Sequence, residues 1–290
     1  MSRRCLFEWV AVLSLRAYGG SFPYSHGPRK KEDIVKNFIA TEWAGLLEEN
    51  GLTGFDALWQ IEVPLLDNPN TGRGKGGWSS VGLLPLRAAG GGQRKLIIKR
   101  QNNYVIRTPL HPLRGIPTLK NEALSTLRFN SLGIPTMKLV YYADKREGNG
   151  FRAILLTEFL DGYESLDRLD RLLLEPTGVE RPRLISCVAG LIRIMHDKRL
   201  RHNSLYPKHI FLREDGSEVT AKLIDLEKVR WSPLGNGRRI RDLDSLNRRS
   251  PGWSRTDRLR FFKAYCQTNH LSSKDRELWR AIAKKGRKKS

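Results

Sequence analysis

Four groups of residues in this 290-residue sequence have the types and the chain order needed to handle a polyphosphate. The first is Thr71-Gly72-Arg73-Gly74-Lys75-Gly76-Gly77-Trp78. Its glycines would let backbone N–H groups approach phosphate oxygens that bulkier side chains would block. The second is Lys99, near the end of the apolar run Lys95 to Arg100, with Glu122 following 23 residues later. A strand lysine that pairs with phosphates needs a carboxylate on a neighbouring helix to hold it. The third is the polar loop His202-Asn203-Ser204-Leu205-Tyr206-Pro207-Lys208-His209. The fourth is Asp225, within Leu223-Ile224-Asp225-Leu226-Glu227, whose hard carboxylate oxygens suit Mg²⁺.

Taken singly, each has an ordinary explanation. Glycine-rich hairpin turns are commonly just flexible, Lys and Glu are common surface residues, and an Asp after an apolar strand is usually a turn former. The elements that must position them give the set its meaning. Ile34, Phe38, Ile39, Trp43, Leu46 and Leu47 recur at helical spacing up to Gly51, and Trp59 to Val63 alternates like a strand. Ser79 to Leu86 and Lys95 to Arg100 read as strands on either side of a turn. Thr118 caps a helix predicted over Leu119 to Asn130 and closed by Gly133. Met137–Ala143 and Phe151–Glu158 are two further strands, joined through Glu147-Gly148-Asn149-Gly150. Beyond Asp161-Gly162 the pattern turns helical, with Leu184, Val188, Leu191 and Met195 on one buried face. The loop from Arg201 to His209 then leads into a hairpin of Ile210–Leu212 and Ala221–Asp225, and Ile240 to Ala283 is mostly helical. This predicts an α+β chain: an extension over 1–30, a β-rich N-terminal lobe over 31–160, a helical C-terminal lobe over 161–283 and a basic tail over 284–290. The phosphate-handling residues would meet between the lobes.

Composition sets the partners. Hydrophobic residues make up 39% and charged residues 28%, which supplies a sizeable core and excludes a disordered chain. The 52 Lys and Arg against 30 Asp and Glu leave +22, so polyanions are attracted. From Lys228 onward there are 19 Lys and Arg against five Asp and Glu, which concentrates the excess in the last quarter. Nucleic acid is one such polyanion, but the sequence has no zinc-finger spacing, no RNA-recognition aromatic signature and no recognition-helix motif, so no specific nucleic acid is expected. Cys5, Cys187 and Cys266 are too few and too dispersed for a disulfide framework. Glu8 interrupts the apolar stretch after Arg3-Arg4, and no run of about 18 apolar residues occurs. A reduced cytoplasmic setting is expected, with peripheral contact to an anionic inner membrane as a further expectation.

From Ile34 to Cys266 the chain resembles the lipopolysaccharide core heptose kinase family, in particular its InaA branch. The residues that carry the likeness are Lys99-Arg100-Gln101, Asn121-Glu122-Ala123-Leu124, Gly133-Ile134-Pro135-Thr136, the loop from His202 to Ile210, Ile224-Asp225-Leu226-Glu227-Lys228 and Arg241-Asp242-Leu243-Asp244-Ser245-Leu246. The resemblance implies a protein-kinase-like two-lobed fold and transfer of the ATP γ-phosphate to a sugar hydroxyl of lipopolysaccharide core or another anionic glycolipid. It implies that Gly72, Gly74, Gly76 and Gly77 cover the nucleotide phosphates, that Lys99 holds them and that Glu122 orients Lys99. Thr157 to Leu160, with Glu158 and Leu160, would form the hinge under adenine. His202 would be the structural histidine of the loop, Asp242 its backbone acceptor and Asp225 the Mg²⁺ ligand.

Two positions depart from the pattern of protein-kinase-like enzymes. Where a carboxylate would accept the hydroxyl proton stands Ser204, a poor base, and such proton transfer is typically worth ~10²–10⁴-fold. His209 occupies the second metal position, usually Asn; it is a softer ligand whose alternative role is a hydrogen-bonding anchor of the loop. Phosphoryl transfer rests mostly on positioning and charge neutralisation. Two readings therefore stand together: a kinase, and a pseudokinase that binds nucleotide and acts as a scaffold or stress-response factor.

Overall fold

The computed structural model describes residues 37–71, 76–108, 111–148, 150–172, 180–216, 218–232 and 239–287. The extension 1–30, Ile34, Gly72 and Gly74 lie outside the described residues. The chain divides into two compact units, one of Met1–Gly133 with Lys138–Phe159 and one of Ile134–Met137 with Leu160–Ser290.

The first unit is built on an antiparallel sheet. Its strands are β1 (Phe38–Ile39), β2 (Asn70–Thr71), β3 (Trp78–Arg87), β4 (Gln93–Asn102), β7 (Leu139–Glu147) and β8 (Gly150–Glu158), in the order β1-β7-β8-β4-β3-β2. A separate hairpin pairs β5 (Val105–Thr108) with β6 (His111–Pro117). Helices α1 (Thr41–Glu49) and α2 (Phe55–Gln60) pack with Leu96, Ile98, Ile154 and Leu156 through Trp43, Leu47, Phe55 and Leu58. Helix α3 (Thr118–Ser131) packs on the other face, where Leu119 and Ala123 meet Ala153 and Leu155. The twofold alternation of strands β4 and β8 makes this two-sided burial possible.

Three local expectations are corrected. Phe38 and Ile39 do not extend the first helix; they pair with Tyr142 and Tyr141 of β7, and the helix begins at Thr41. Trp59 and Gln60 end a helix rather than begin a strand. Phe55 and Leu58, three residues apart, are both buried there, and Phe55 stacks on Trp59 one turn later at 5.6 Å, so packing overrides β propensity. Pro117 takes the N-cap position of α3, and the Thr118 hydroxyl donates to Gln101 Oε1 instead of capping the helix. Gly133 closes α3 as expected, at φ +67°, where only glycine is unstrained.

The second unit is mainly helical. Helix α4 (Leu166–Leu172) is followed by the 18-residue α5 (Glu180–Asp197), whose face of Leu184, Val188, Leu191 and Met195 is buried as the spacing predicts. The short strands β9 (Glu164–Ser165), β10 (Leu200–Arg201), β11 (Ile210–Asp215), β12 (Glu218–Leu223) and β13 (Arg230–Trp231) form a β12-β11-β9 sheet and a β10–β13 pair. Three helices complete the unit: α6 (Arg239–Arg249), α7 (Arg255–Cys266) and α8 (Ser273–Arg287). Ser254 and Asp257 form a capping box at the start of α7. Lys284 and Lys285, read in sequence as part of a basic tail, lie within α8. No helix among the described residues is long and apolar enough to cross a membrane. A strand-rich first unit and a helical second unit give the α+β distribution expected.

Candidate functional site

In the first unit the site residues follow from strand register. Lys99 of β4 pairs with Leu155 of β8, so both side chains share a face. Leu155 packs on Leu119 and Ala123 of α3, and Glu122 is the neighbour of Ala123. Lys99 Nζ therefore reaches Glu122 Oε1 at 2.7 Å, with the glutamate side chain 1% exposed and the lysine 17%. A carboxylate this deep is stabilised only by a partner, so the pair fixes the ammonium group rather than leaving it to sample solvent. On the opposite face of the sheet the Arg100 guanidinium donates to the Leu58 and Ile61 carbonyls, which ties the α2 segment to β4.

The strands that flank the glycine-rich segment pair with each other, Asn70 with Ser79 and Thr71 with Trp78. Gly76 adopts φ +68° directly before Gly77 and Trp78, while Gly72 and Gly74 lie outside the described residues. Glu158 ends β8 opposite Leu96, and its N–H donates to the Lys138 carbonyl. The Phe159 N–H donates to the Lys95 carbonyl, and in the chain the second unit resumes at Leu160.

In the second unit the loop from His202 to His209 is held mainly through its backbone. Asp242 of α6 accepts the N–H of His202 at 2.8 Å and of Asn203 at 2.9 Å. Behind it, His196 of α5 lies 3.4 Å from Asp242 Oδ2 and 2.9 Å from the Tyr265 hydroxyl. Burial alone would push the Asp242 carboxyl up, but the hydrogen bond and charge of His196 and the N–H of His202 hold it below the usual carboxylate range. His202 is fully buried, and its Nε2–H donates to the Ile224 carbonyl at 2.9 Å. Burial, outweighing the pull of Asp242 and Asp225, keeps this ring below the ordinary imidazole range.

Asn203 sits in the left-handed region at φ +63° and donates through Nδ2 to the Lys228 carbonyl. Ser204 is 2% exposed. Its carbonyl accepts the Nδ1–H of His209 at 2.8 Å. His209 Nε2 lies 3.2 Å from Asp225 Oδ2. Burial, opposed by Asp225, pushes His209 down to about 4, so the ring is neutral at pH 7. Asp225 does not end a strand: β12 stops at Leu223, and Asp225 takes the left-handed conformation, φ 59° and ψ 58°, before a short helical turn. An L-residue held there is strained, and such strain concentrates at functional positions.

Among the described residues no cluster of three or more His, Cys, Asp or Glu could hold a metal ion. The two donors Asp225 and His209 nevertheless fit an ion that takes its other ligands from phosphate oxygens and water, the usual habit of Mg²⁺ beside a nucleotide. The geometry thus brings Lys99 to Glu122 within the first unit, and His202, Ser204, His209 and Asp225 to one another within the second.

Two contributors escaped the sequence reading. His196 of α5 is 1% exposed and braces Asp242. The available signal was a second stripe on α5, since Ile185, Ala189, Ile192 and His196 repeat the buried spacing one residue along. Arg249 of α6 lies 4.0 Å over the Tyr206 ring, a pairing of residues 43 positions apart that no local pattern encodes.

Comparison with known proteins agrees with this layout. The model of the lipopolysaccharide kinase (Kdo/WaaP) family matches residues 56–265. Protein InaA of Escherichia coli (strain K12) is 28% identical over 179 residues, 61% of this chain and 78% of that protein. The structure of WaaP in complex with acyl carrier protein superposes with a TM-score of 0.60 at 19% identity, over 88% of this chain and 99% of that one. At that identity the last likeness speaks to the fold.

Proposed function

Because the chain belongs to the lipopolysaccharide kinase (Kdo/WaaP) family, we propose that it transfers the ATP γ-phosphate to a sugar hydroxyl of lipopolysaccharide core. The observation that carries this reading is the buried Lys99–Glu122 pair at 2.7 Å, which presents an ammonium group in a fixed position on a sheet face. In the reaction Lys99 binds the α- and β-phosphates and Glu122 holds it there. The glycines at 72, 74, 76 and 77 offer backbone N–H groups to the phosphates, and the segment with Glu158 and Leu160 takes the adenine. Asp225 and His209 hold Mg²⁺, which neutralises phosphate charge when bound. Asp242 keeps the loop backbone in place, and His202 anchors it to Ile224.

With Ser204 at the base position, the acceptor hydroxyl is positioned without a strong proton acceptor. Catalysis then rests on alignment and charge neutralisation. The test is transfer from γ-labelled ATP to purified core oligosaccharide by the wild type, K99A and D225A. Transfer that both substitutions abolish supports the assignment; transfer unchanged by both sinks it. The burial and neutrality of Ser204 favour one second reading, a pseudokinase that binds nucleotide without turnover. In that case ATP raises the melting temperature of the wild type, no transfer occurs, and only S204D gains activity.

The basic helices α6 to α8 supply the docking face for an anionic glycolipid. Each surface Lys or Arg near an anionic leaflet contributes ~1 kcal/mol. Sedimentation with phosphatidylglycerol vesicles at low salt, reversed at high salt, is the expected outcome. A protein that stays in the supernatant at low salt contradicts peripheral membrane contact.

A further inference from the structure

Arg249, the last residue of α6, is not needed to finish that helix. The adjacent Arg248 is committed to Asp244 at 3.0 Å. The carbonyls at that end are taken as well. Ser250 Oγ donates to the Leu246 carbonyl at 2.9 Å, and Arg258 donates to the carbonyls of Asn247, at 2.6 Å, and Ser250, at 2.8 Å. Among the described residues the Arg249 guanidinium has no hydrogen bond or ion pair. It is exposed, and its Cζ lies 4.0 Å over the Tyr206 ring.

The ring beneath it is a fixed platform. Pro207 keeps Tyr206 in extended backbone, φ −120° and ψ 152°. The Tyr206 carbonyl accepts from the His209 N–H at 2.9 Å, and its ring packs on that of His209 at 5.3 Å. Asp242 holds the start of the same loop, and Tyr206 follows Ser204 by two residues. A guanidinium seated on an aromatic face is steadied by that face, while its N–H donors stay in the plane and point outward. That edge matches two oxygens of a phosphate or carboxylate, which a lysine, as a point charge, cannot reproduce. Lys208, exposed in the same loop, adds positive potential. We propose that Arg249, seated on Tyr206, recognises an anionic substituent, phosphate or carboxylate, on the saccharide that receives the phosphoryl group. This rests on the reading of a saccharide acceptor and narrows the broad basic face of α6 to α8 to one residue pair beside the loop.

The test titrates the full-length protein separately with glucose 6-phosphate, glucose and ATP in a calorimeter. The wild type should bind glucose 6-phosphate about tenfold or more tightly than glucose. R249K keeps a charge at the end of α6 but has no planar fork, and it should lose about fivefold or more of that preference. Y206L removes the platform and should lose about threefold or more, which the intact ring of Y206F restores. If glucose 6-phosphate binds no more tightly than glucose, or if R249K and R249A both retain the wild-type preference, the inference is overturned. An R249A that weakens ATP as much as glucose 6-phosphate also overturns it, because the guanidinium then serves the nucleotide. Should R249A fail to fold, R249K and Y206F, close in volume to the native residues, decide. A preference lost in R249K, in a protein that transfers no phosphate from ATP, sustains this subsite and sinks the kinase reading. Transfer to core oligosaccharide by R249A with wild-type kcat and KM does the reverse.

Discussion

In the first unit, charge meets charge: Lys99 and Glu122 form an ion pair at 2.7 Å with the carboxylate almost wholly buried. In the loop of the second unit, His202 and His209 are held neutral by burial, and Asp242 is bonded to backbone N–H groups and to His196. The first arrangement fixes a cation on a sheet face. The second spends its hydrogen bonds on holding a backbone shape. The first unit therefore presents a buried charge pair, while the loop is a neutral scaffold that carries Ser204 with a buried side chain. This contrast can be broken from either side.

The largest effect belongs to the ion pair. K99A strands the Glu122 carboxylate in the core and should cost about 3–5 kcal/mol in urea unfolding. The double variant K99M/E122L should recover most of that loss, since an apolar pair of similar volume needs no desolvation. A single-variant cost below about 1 kcal/mol, the range of exposed pairs, would show that the pair behaves like a surface salt bridge. In the loop, D242A removes the acceptor of the His202 and Asn203 backbone N–H groups, one buried and one partly buried, and should cost about 3 kcal/mol. It should also make the segment from His202 to His209 susceptible to protease. An unaltered cleavage pattern would contradict a loop held by that carboxylate.

The smallest effect is one of pH. Above the ordinary imidazole value of 6.5, His209 is neutral in both folded and unfolded chains. Below it the unfolded chain takes up a proton that the folded ring refuses until about 4, so stability falls as pH drops through that window. The loss should reach about 1–3 kcal/mol by the lower end, and H209Q should flatten the curve. A wild-type profile no steeper than that of H209Q would show that the ring is not held neutral.

The sequence was most informative where period and register agree. The alternation of β4 and the span of α3 were legible, and together they made the meeting of Lys99 with Glu122 predictable. The buried face of α5 was legible for Leu184, Val188, Leu191 and Met195 for the same reason. Trp59 misled because an aromatic residue beside Ile61 and Val63 alternates like a strand, while the burial of Phe55 and Leu58 selects a helix. His196 and Arg249 were missed because their partners, Asp242 and Tyr206, are tens of residues away, and only tertiary packing pairs them. The left-handed conformation of Asp225 was likewise hidden, since its apolar neighbours suggest a continuing strand.

The most direct measurement is the ATP affinity of the wild type beside K99M, which keeps the length of the side chain and removes its charge. If Lys99 holds the nucleotide phosphates, the wild type binds ATP and K99M binds it about tenfold or more weakly, a loss of about 1.4 kcal/mol or more. Equal affinities in two folded proteins, or a wild type that does not bind ATP, would contradict the assignment.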